Sequence, residues 1–535
     1  MTVEEQRSLT EELPEGLDAV VTISLATSAC PEGTDAVGEA LQKALSQLKS
    51  PRVLVRASGG LGYFSAERLI KVARPDGPSV LYHQVTPELL TEIVTQHVLA
   101  GKPLTEAALC QIPGRGDRLE QLPLIQDIPF FSGQRPALSW RCGQIDPERI
   151  DDAFRTGSYN TLNHALTGSS ESIFQAMESV QLSGQDGRGE PLSERWRETA
   201  MQPGPAYLIC NALEVEPSAV KDRWLLESDP HRIIEGMTIA ARAVGAEIGY
   251  IVLNPSYKKA RLRLETAIAQ ARRRRRLGKR IQNTSFDFDI LLRTGPHGFV
   301  TGEETALISF LEGKTGPRLT PPPIAVSGLN NRPTVVATVE TFARLTLLPL
   351  SDASPQPSTR LFTLEGTPHH GVVEVEEGTT IREVVCGIGG MADQEIKAVV
   401  IGGHLGGVVP ADLLDTPLSE ASYRWLDVWP GAGLISVLNR STSMTEWLKD
   451  DLAFAARESC GLCSPCREGL EQARRIAKRM NDGAGQAQDL LLLEQLASYI
   501  ARSSLCGYGQ VVPRGLTTTL RYFGQELRER LSIRR

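Results

Sequence analysis

The chain has 535 residues, of which 41% are hydrophobic and 23% charged, with a formal net charge of -7. That length exceeds what one hydrophobic core serves, so three or four domains are expected, and the acidic balance excludes a general pull toward nucleic acid or anionic membranes. The opening MTVEEQRSLTEELPEG has no apolar core followed by a cleavage site, and no apolar run is long enough to span a bilayer, so a cytoplasmic chain without direct membrane insertion is expected.

Residues 18–102 alternate strand and helix signals. AVVTISLAT and RVLVRASGG read as strands, VARPDGPSVLYHQV as a short hairpin, and DAVGEALQKALSQL and TPELLTEIVTQHVLAG as helices, which together predict a small α/β domain. A proline-rich linker follows, and a second mixed α/β region runs from 137 to about 345. There a helix opens at SDPHRIIEGM, with Ser228 or Asp229 able to cap and Pro230 at the first helical position, and the strand IGYIVLN comes next. The arginine run Arg272 to Arg276 has no interleaved aromatics and reads as a solvated helix end rather than a nucleic-acid patch.

The Pro/Ser stretch LSDASPQPSTR marks a boundary, and a β-rich unit follows with GVVEVEEGTTIREVV and KAVVIGG as its clearest signals. The last hundred residues read as helical. Ser443 with Glu446 forms a capping pattern ahead of Met444, Trp447, Leu448 and Leu452, and a later helix carries Leu490, Leu493, Leu496, Ala497 and Ile500 on one side.

Four of the nine cysteines crowd into this helical region, the pattern of a metal site rather than of a disulfide framework. ESCGLCSPCREG spaces Cys460, Cys463 and Cys466 as C-x2-C-x2-C, and SSLCGYGQ adds Cys506 after the second helix. Three thiolates in one turn cover three corners of a cubane and a remote one closes the fourth, so a [4Fe-4S] cluster is expected. Structural zinc is the alternative, though zinc usually takes its ligands as two separated pairs. Cys30, Cys110, Cys142, Cys210 and Cys386 read as buried small hydrophobes, and His297, His369 and His370 as loop histidines without partner motifs.

With these motifs the chain resembles the NADH-oxidising flavoprotein subunit of respiratory complex I and its relatives in NAD-linked hydrogenases and formate dehydrogenases. Upstream, RCGQIDPERID, KDRWLLESDPHRIIEGM, SFDFDILLRTG, GEETALISFLEGK and PRLTPPPIAVSGL are similar to the family's flavin-domain segments. The resemblance implies an α/β multidomain fold in five segments. These are a thioredoxin-like domain at 1–105, a linker at 106–136, a Rossmann-like flavin-type domain at 137–350, a ubiquitin-like SLBB domain at 351–438 and a helical [4Fe-4S] domain at 439–535.

The resemblance also marks departures. GQDGRGEPLSERW stands where the family has GRGGAGFPTGLKW; it keeps Gly184, Gly187, Gly189, Pro191 and Trp196, but brings Asp186 and Glu190 beside the expected phosphate, with Arg195 as the surviving cation. NALEVEPSAVKDR keeps Asn211, Glu214 and Glu216 but has Leu213 for aspartate and Val215 for glycine. Ala337 and Thr338 replace two asparagines, Thr320 and Pro323 a lysine and an aromatic, whereas Gly302, Glu303 and Glu304 match. In the N-terminal domain the [2Fe-2S] ligand positions fall at Gly60 and Phe64, leaving Cys30, so no cluster is expected there and a docking role is.

The expectation is an electron-transfer subunit that relays electrons through one [4Fe-4S] cluster between other redox subunits of a multisubunit oxidoreductase, with no catalytic residue of its own and with FMN and NADH binding lost. Gly184, Arg195, Asn211, Glu214, Glu216, Gly302, Glu303 and Glu304 would then be remnants of that site. An active FMN-dependent NADH dehydrogenase and a structural Fe–S scaffold are the alternatives.

Overall fold

The structure, a computed structural model, describes residues 16–24, 52–113, 118–184, 191–350, 358–529 and 531. The helix expected at DAVGEALQKALSQL, Cys30, most of the Pro/Ser boundary, and Asp186, Gly187, Gly189 and Glu190 lie outside the described residues.

The first sheet is built from β1 (Ala19–Ser24), β2 (Val53–Ser58), β3 (Ile70–Ala73), β4 (Ser79–Tyr82) and β5 (Ala108–Ile112), in the order β2-β1-β3-β4-β5. Its β1–β2 pair is parallel and the others antiparallel, and β3–β4 is the hairpin expected from the proline–glycine turn. Thr86 accepts the Leu89 N–H and starts the helix Pro87–Glu92, as the threonine–proline pair predicts.

This unit is fastened to the rest through the segment containing Gly60 and Phe64. Gly60 N–H donates to Ser228 Oγ at 3.1 Å, and the Trp224 indole donates to Gly60 O at 3.0 Å. Tyr63 Oη lies 2.7 Å from His369 Nδ1 and its ring stacks on Phe130 at 4.1 Å, while Phe64 N–H donates to His370 O. The loop histidines His369 and His370 thus both contact the N-terminal unit.

The second sheet has β6 (Ala206–Ala212), β7 (Ala246–Leu253), β8 (Asp289–Thr294) and β9 (Thr334–Thr338), all parallel in the order β8-β7-β6-β9. Parallel strands need helices on their faces. The helix α1 (Pro230–Val244) is buried along nearly its whole length, with Asp229 accepting the Arg232 N–H at its start, as the sequence predicts. The arginine run is a solvated helix end, as expected, with Arg272 to Arg275 exposed; Arg272 pairs with Asp289 at 2.9 Å, Arg274 with Asp151 at 2.6 Å, and the half-buried Arg276 lies over the Phe154 ring.

The third sheet, β10 (Thr359–Glu365), β11 (Gly371–Glu376), β12 (Ile396–Ile401), β13 (Gly407–Pro410) and β14 (Leu434–Asn439), runs β11-β10-β14-β12-β13, with only the β10–β14 pair parallel. A bundle of four long helices ends the chain: α2 (Met444–Glu458), α3 (Ser464–Asn481), α4 (Asp489–Ser503) and α5 (Arg514–Arg528). Ser443 Oγ accepts the Glu446 N–H, and Met444, Leu448 and Leu452 are buried, as are Leu493, Ala497 and Ile500.

Glu67, in the N-terminal unit, is 7% exposed, and neither of its carboxylate oxygens has a hydrogen-bond partner among the described residues. Burial pushes its carboxyl up to about 8. The fold therefore favours the neutral form, so this contribution to stability is complete below the ordinary carboxyl range and declines as the pH climbs to about 8. Glu67→Gln is expected to flatten that decline and to raise stability at alkaline pH by a few kcal/mol, read from urea midpoints measured across the pH range.

Candidate iron-sulfur centre and the crevice beside it

The four expected cysteines meet where two bundle helices end and two others begin. Helix α2 stops at Glu458, Cys460 follows in the turn, Cys463 is the N-cap residue of α3, and Cys466 lies in that helix's first turn. Helix α4 stops at Ser503, and Cys506 is the residue that precedes the short helix Gly507–Val511. Cys463, Cys466 and Cys506 are buried and Cys460 is half-buried. The start of the eighteen-residue α3 presents its partial positive charge to the thiolates there.

Burial pushes the Cys466 thiol up to about 12; a hydrogen bond with Ser459 opposes this, and the neighbouring Cys463, Cys506 and Cys460 add to it. Cys506 is raised too, first by burial. Thiols held this way ionise only with a cationic partner, and an iron core is one. Two further features fit a cluster. Ser504 Oγ is buried with no hydrogen-bond partner among the described residues, and Gly509 leaves room beside it, since a Cβ there would lie 2.5 Å from Ser504 Oγ and 3.3 Å from Cys466 Cβ. Among the described residues no group of three or more His, Cys, Asp or Glu side chains, these four cysteines included, is arranged around a single metal ion.

A cavity of about 920 Å³ opens beside Cys506. Its floor is the carboxyl end of β6 and β9, with Asn211, Ala337 and Thr338. Strand order reverses at this point, because β6 has β7 on one side and β9 on the other, and crevices of this kind receive ligands in parallel α/β sheets. Of the expected remnants, Arg195, Asn211, Gly302, Glu303 and Glu304 line it. Their polar groups are engaged: Arg195 Nη2 donates to both Glu304 oxygens at 3.0 and 2.9 Å, Asn211 Nδ2 donates to Gly302 O at 2.9 Å, and Glu303 accepts the Thr305 and Ala306 N–H groups as a helix cap.

The other three remnants are placed elsewhere. Gly184 is buried beside the bridge between Ser183 and Pro191. Glu214, with φ +41°, accepts the N–H groups of Asp222 and Arg223 and the Tyr257 hydroxyl, all within 2.9 Å; burial, with Asp222 adding, pushes its carboxyl up to about 7. It therefore holds the start of the helix Lys221–Ser228. Glu216 is buried and bound to His404, whose backbone N–H and Nδ1 each lie 2.9 Å from a carboxylate oxygen. Leu213 is 1% exposed and packs with Ile209, Val252 and Leu307, and Val215 lies against Gly302.

His404 is missed in the sequence, as is the fully buried pair of Lys221 with Glu340 at 2.8 Å. The one signal for His404 is its place in a glycine-rich GGHLGG turn. There Gly403, at φ +66°, passes so close to Glu216 that a Cβ would lie 2.3 Å from its carboxyl carbon.

A parallel sheet with an open switch-point crevice, joined to a four-cysteine helical bundle, defines the chain as an iron–sulfur electron-transfer protein of an oxidoreductase. The Nuo51 FMN-binding domain matches residues 177–346, and the NADH-ubiquinone oxidoreductase-F iron-sulfur binding region matches residues 446–530. The chain is 36% identical over 398 residues to the NADP-reducing hydrogenase subunit HndC of Solidesulfovibrio fructosivorans, a match covering 72% of this chain and 81% of that protein. It is 34% identical over 393 residues to an NADH-quinone oxidoreductase subunit of Aquifex aeolicus, covering 70% of this chain and 90% of that one. In fold it is similar to a chain of an NAD+-reducing [NiFe]-hydrogenase in the H2-reduced state, with a TM-score of 0.64 at 23% identity over 99% of this chain and 88% of that chain. The chain belongs to the family of flavoprotein subunits of complex I and NAD-linked hydrogenases, whose members are parts of multisubunit redox complexes.

Cys506→Ala is expected to lower the iron bound by anaerobically purified protein from about four per chain to about three or fewer, with the helical circular dichroism retained. Iron retained in full would remove Cys506 from the ligand set.

Proposed function

We propose that this chain is the iron–sulfur relay subunit of a soluble, cytoplasmic oxidoreductase of the complex I, hydrogenase or formate dehydrogenase type. It passes single electrons through one [4Fe-4S] cluster on Cys460, Cys463, Cys466 and Cys506, and its crevice does not hold FMN or NADH in the manner of its relatives. The observation that carries this reading is the pairing of Arg195, the cation aligned with the expected flavin phosphate, with Glu304 at 2.9 Å. A dianionic phosphate would have to displace that carboxylate. Leu213 and Val215 add hydrocarbon where the family resemblance implies aspartate and glycine, so the residues around the crevice fit FMN poorly.

The topology supports the segment assignments. A five-stranded sheet in which the β10–β14 pair alone is parallel suits a ubiquitin-like SLBB unit, and the mixed N-terminal sheet suits a thioredoxin-like unit that β5 carries past the expected boundary at 105 to Ile112. A cytoplasmic setting is consistent with the cysteine usage; among the described residues no helix is long and apolar enough to cross a membrane.

One observation favours a second reading, an FMN-dependent NADH dehydrogenase: the 920 Å³ crevice still opens onto Cys506. In that case the flavin would supply the conversion of a hydride into single electrons, and Asn211, Arg195 and Glu303 would line its site. The ratio of released flavin to bound iron separates the two. About four irons and no flavin in the anaerobically purified complex is the expected result. About one FMN per four irons would overturn the relay reading in favour of the dehydrogenase.

A further inference from the structure

Both bundle helices that end at the cysteine centre are followed by a serine. Ser459 follows α2 and Ser504 follows α4, and each leaves its helix with extended backbone, at φ -61°, ψ 133° and φ -72°, ψ 146°. Cys460 comes directly after Ser459, and Cys506 two residues after Ser504. The helix ends that deliver cysteines therefore deliver a hydroxyl as well.

Ser459 Oγ lies 3.3 Å from Cys466 Sγ and accepts the Gly461 N–H at 3.3 Å. Gly461 makes this turn at φ +75°, and Arg467 Nη1 donates to its carbonyl oxygen at 2.7 Å. With the Gly461 N–H on the hydroxyl oxygen, the single hydroxyl proton is left for the sulfur. A cysteine that ligates iron has given up its own proton, so Ser459 is then the donor.

Ser504 is 4% exposed, and its Oγ has no hydrogen-bond partner among the described residues. Its backbone is satisfied: the N–H donates to Ile500 O, and the carbonyl accepts Gln510 Nε2 at 3.2 Å. A Cβ on Gly509 would lie 2.5 Å from Ser504 Oγ and 3.3 Å from Cys466 Cβ, so the hydroxyl and Cys466 flank one small space. Burying a hydroxyl without an acceptor is costly, and a cluster sulfur in that space would be an acceptor.

We propose that Ser459 and Ser504 are hydrogen-bond donors to the cluster's sulfurs, Ser459 to the Cys466 thiolate and Ser504 in the space beside it, and that both raise its reduction potential. This inference rests on the [4Fe-4S] reading above. The sulfurs gain negative charge when the cluster accepts an electron, so an O–H aimed at them binds the reduced state more strongly than the oxidised one. No covalent bond changes and neither serine is oxidised. Burial, and then the neighbouring cysteines, disfavour negative charge at Cys466, and Ser459 is the group that opposes them. The two hydroxyls are thus counterweights to the crowding of four thiolates in one buried place.

The test is an EPR-monitored redox titration, at one fixed pH, of the anaerobically purified full chain as wild type, Ser459→Ala, Ser459→Thr and Ser504→Ala, with iron determined for each. About four irons per chain are expected throughout. Each alanine variant is expected to lower the equilibrium constant for one-electron reduction about tenfold, a midpoint about 59 mV more negative, whereas Ser459→Thr, which keeps the hydroxyl, stays at the wild-type value. Ser504→Ala removes an atom with no partner among the described residues, so it decides the matter even where Ser459→Ala fails to load iron. An unchanged midpoint in Ser504→Ala, or a Ser459→Thr midpoint displaced as far as that of Ser459→Ala, would overturn the proposal and leave the relay reading standing. Wild-type protein with neither a cluster signal nor about four irons would overturn the relay reading, and this proposal with it.

Discussion

Four thiols are buried at one end of a helical bundle, and no thiolate is stable there without a positive partner. Water cannot solvate the charge, and each ionised sulfur raises the cost of ionising the next. A cluster resolves this only if the protein delivers all four sulfurs from chain segments whose ends are already fixed. The bundle does so with side chains far from the site: Met444, Leu448 and Leu452 seat α2, and Leu493, Ala497 and Ile500 seat α4, so each helix stops a fixed number of residues before a cysteine. The start of α3 then meets the negative charge that remains.

The same constraint gives the crevice its meaning. Because Cys506 lines it, whatever occupies the switch point of the parallel sheet lies beside one of the four clustered cysteines. The surrounding charges are already compensated within the protein: Arg195 by Glu304, Glu216 by His404, and Arg318 by Glu312 and two backbone carbonyls. A new ligand has to break such pairs, and breaking a partly buried pair strands one charge at a cost of several kcal/mol. This is why the cavity's volume alone does not decide what it holds.

The four-cysteine pattern is the most legible part of the candidate site, because cluster chemistry demands a fixed residue type at fixed spacing. The helix start at Asp229–Pro230 and the cap at Ser443 were legible for a similar local reason. Glu214 and Glu216 show where such reading stops. Both match family positions, yet Glu214 caps the helix Lys221–Ser228 and Glu216 locks onto a turn almost two hundred residues later. A matched residue declares its type and not its partner. Partners such as His404 for Glu216, or Glu340 for Lys221, are set by the packing of separate units and leave no spacing to read.

The N-terminal unit carries this argument further. The positions where ligands of a second cluster would be sought, Gly60 and Phe64, are those that hold the unit in place. Gly60 accepts the Trp224 indole N–H, and Gly62 passes so near Gly371 that a Cβ on the latter would lie 1.9 Å from a carbonyl oxygen. A loop that packs this closely serves as an internal fastener between the units. On the relay reading the four-cysteine centre is the element that passes electrons, and Cys460, half-buried while the other three are buried, is its most exposed member.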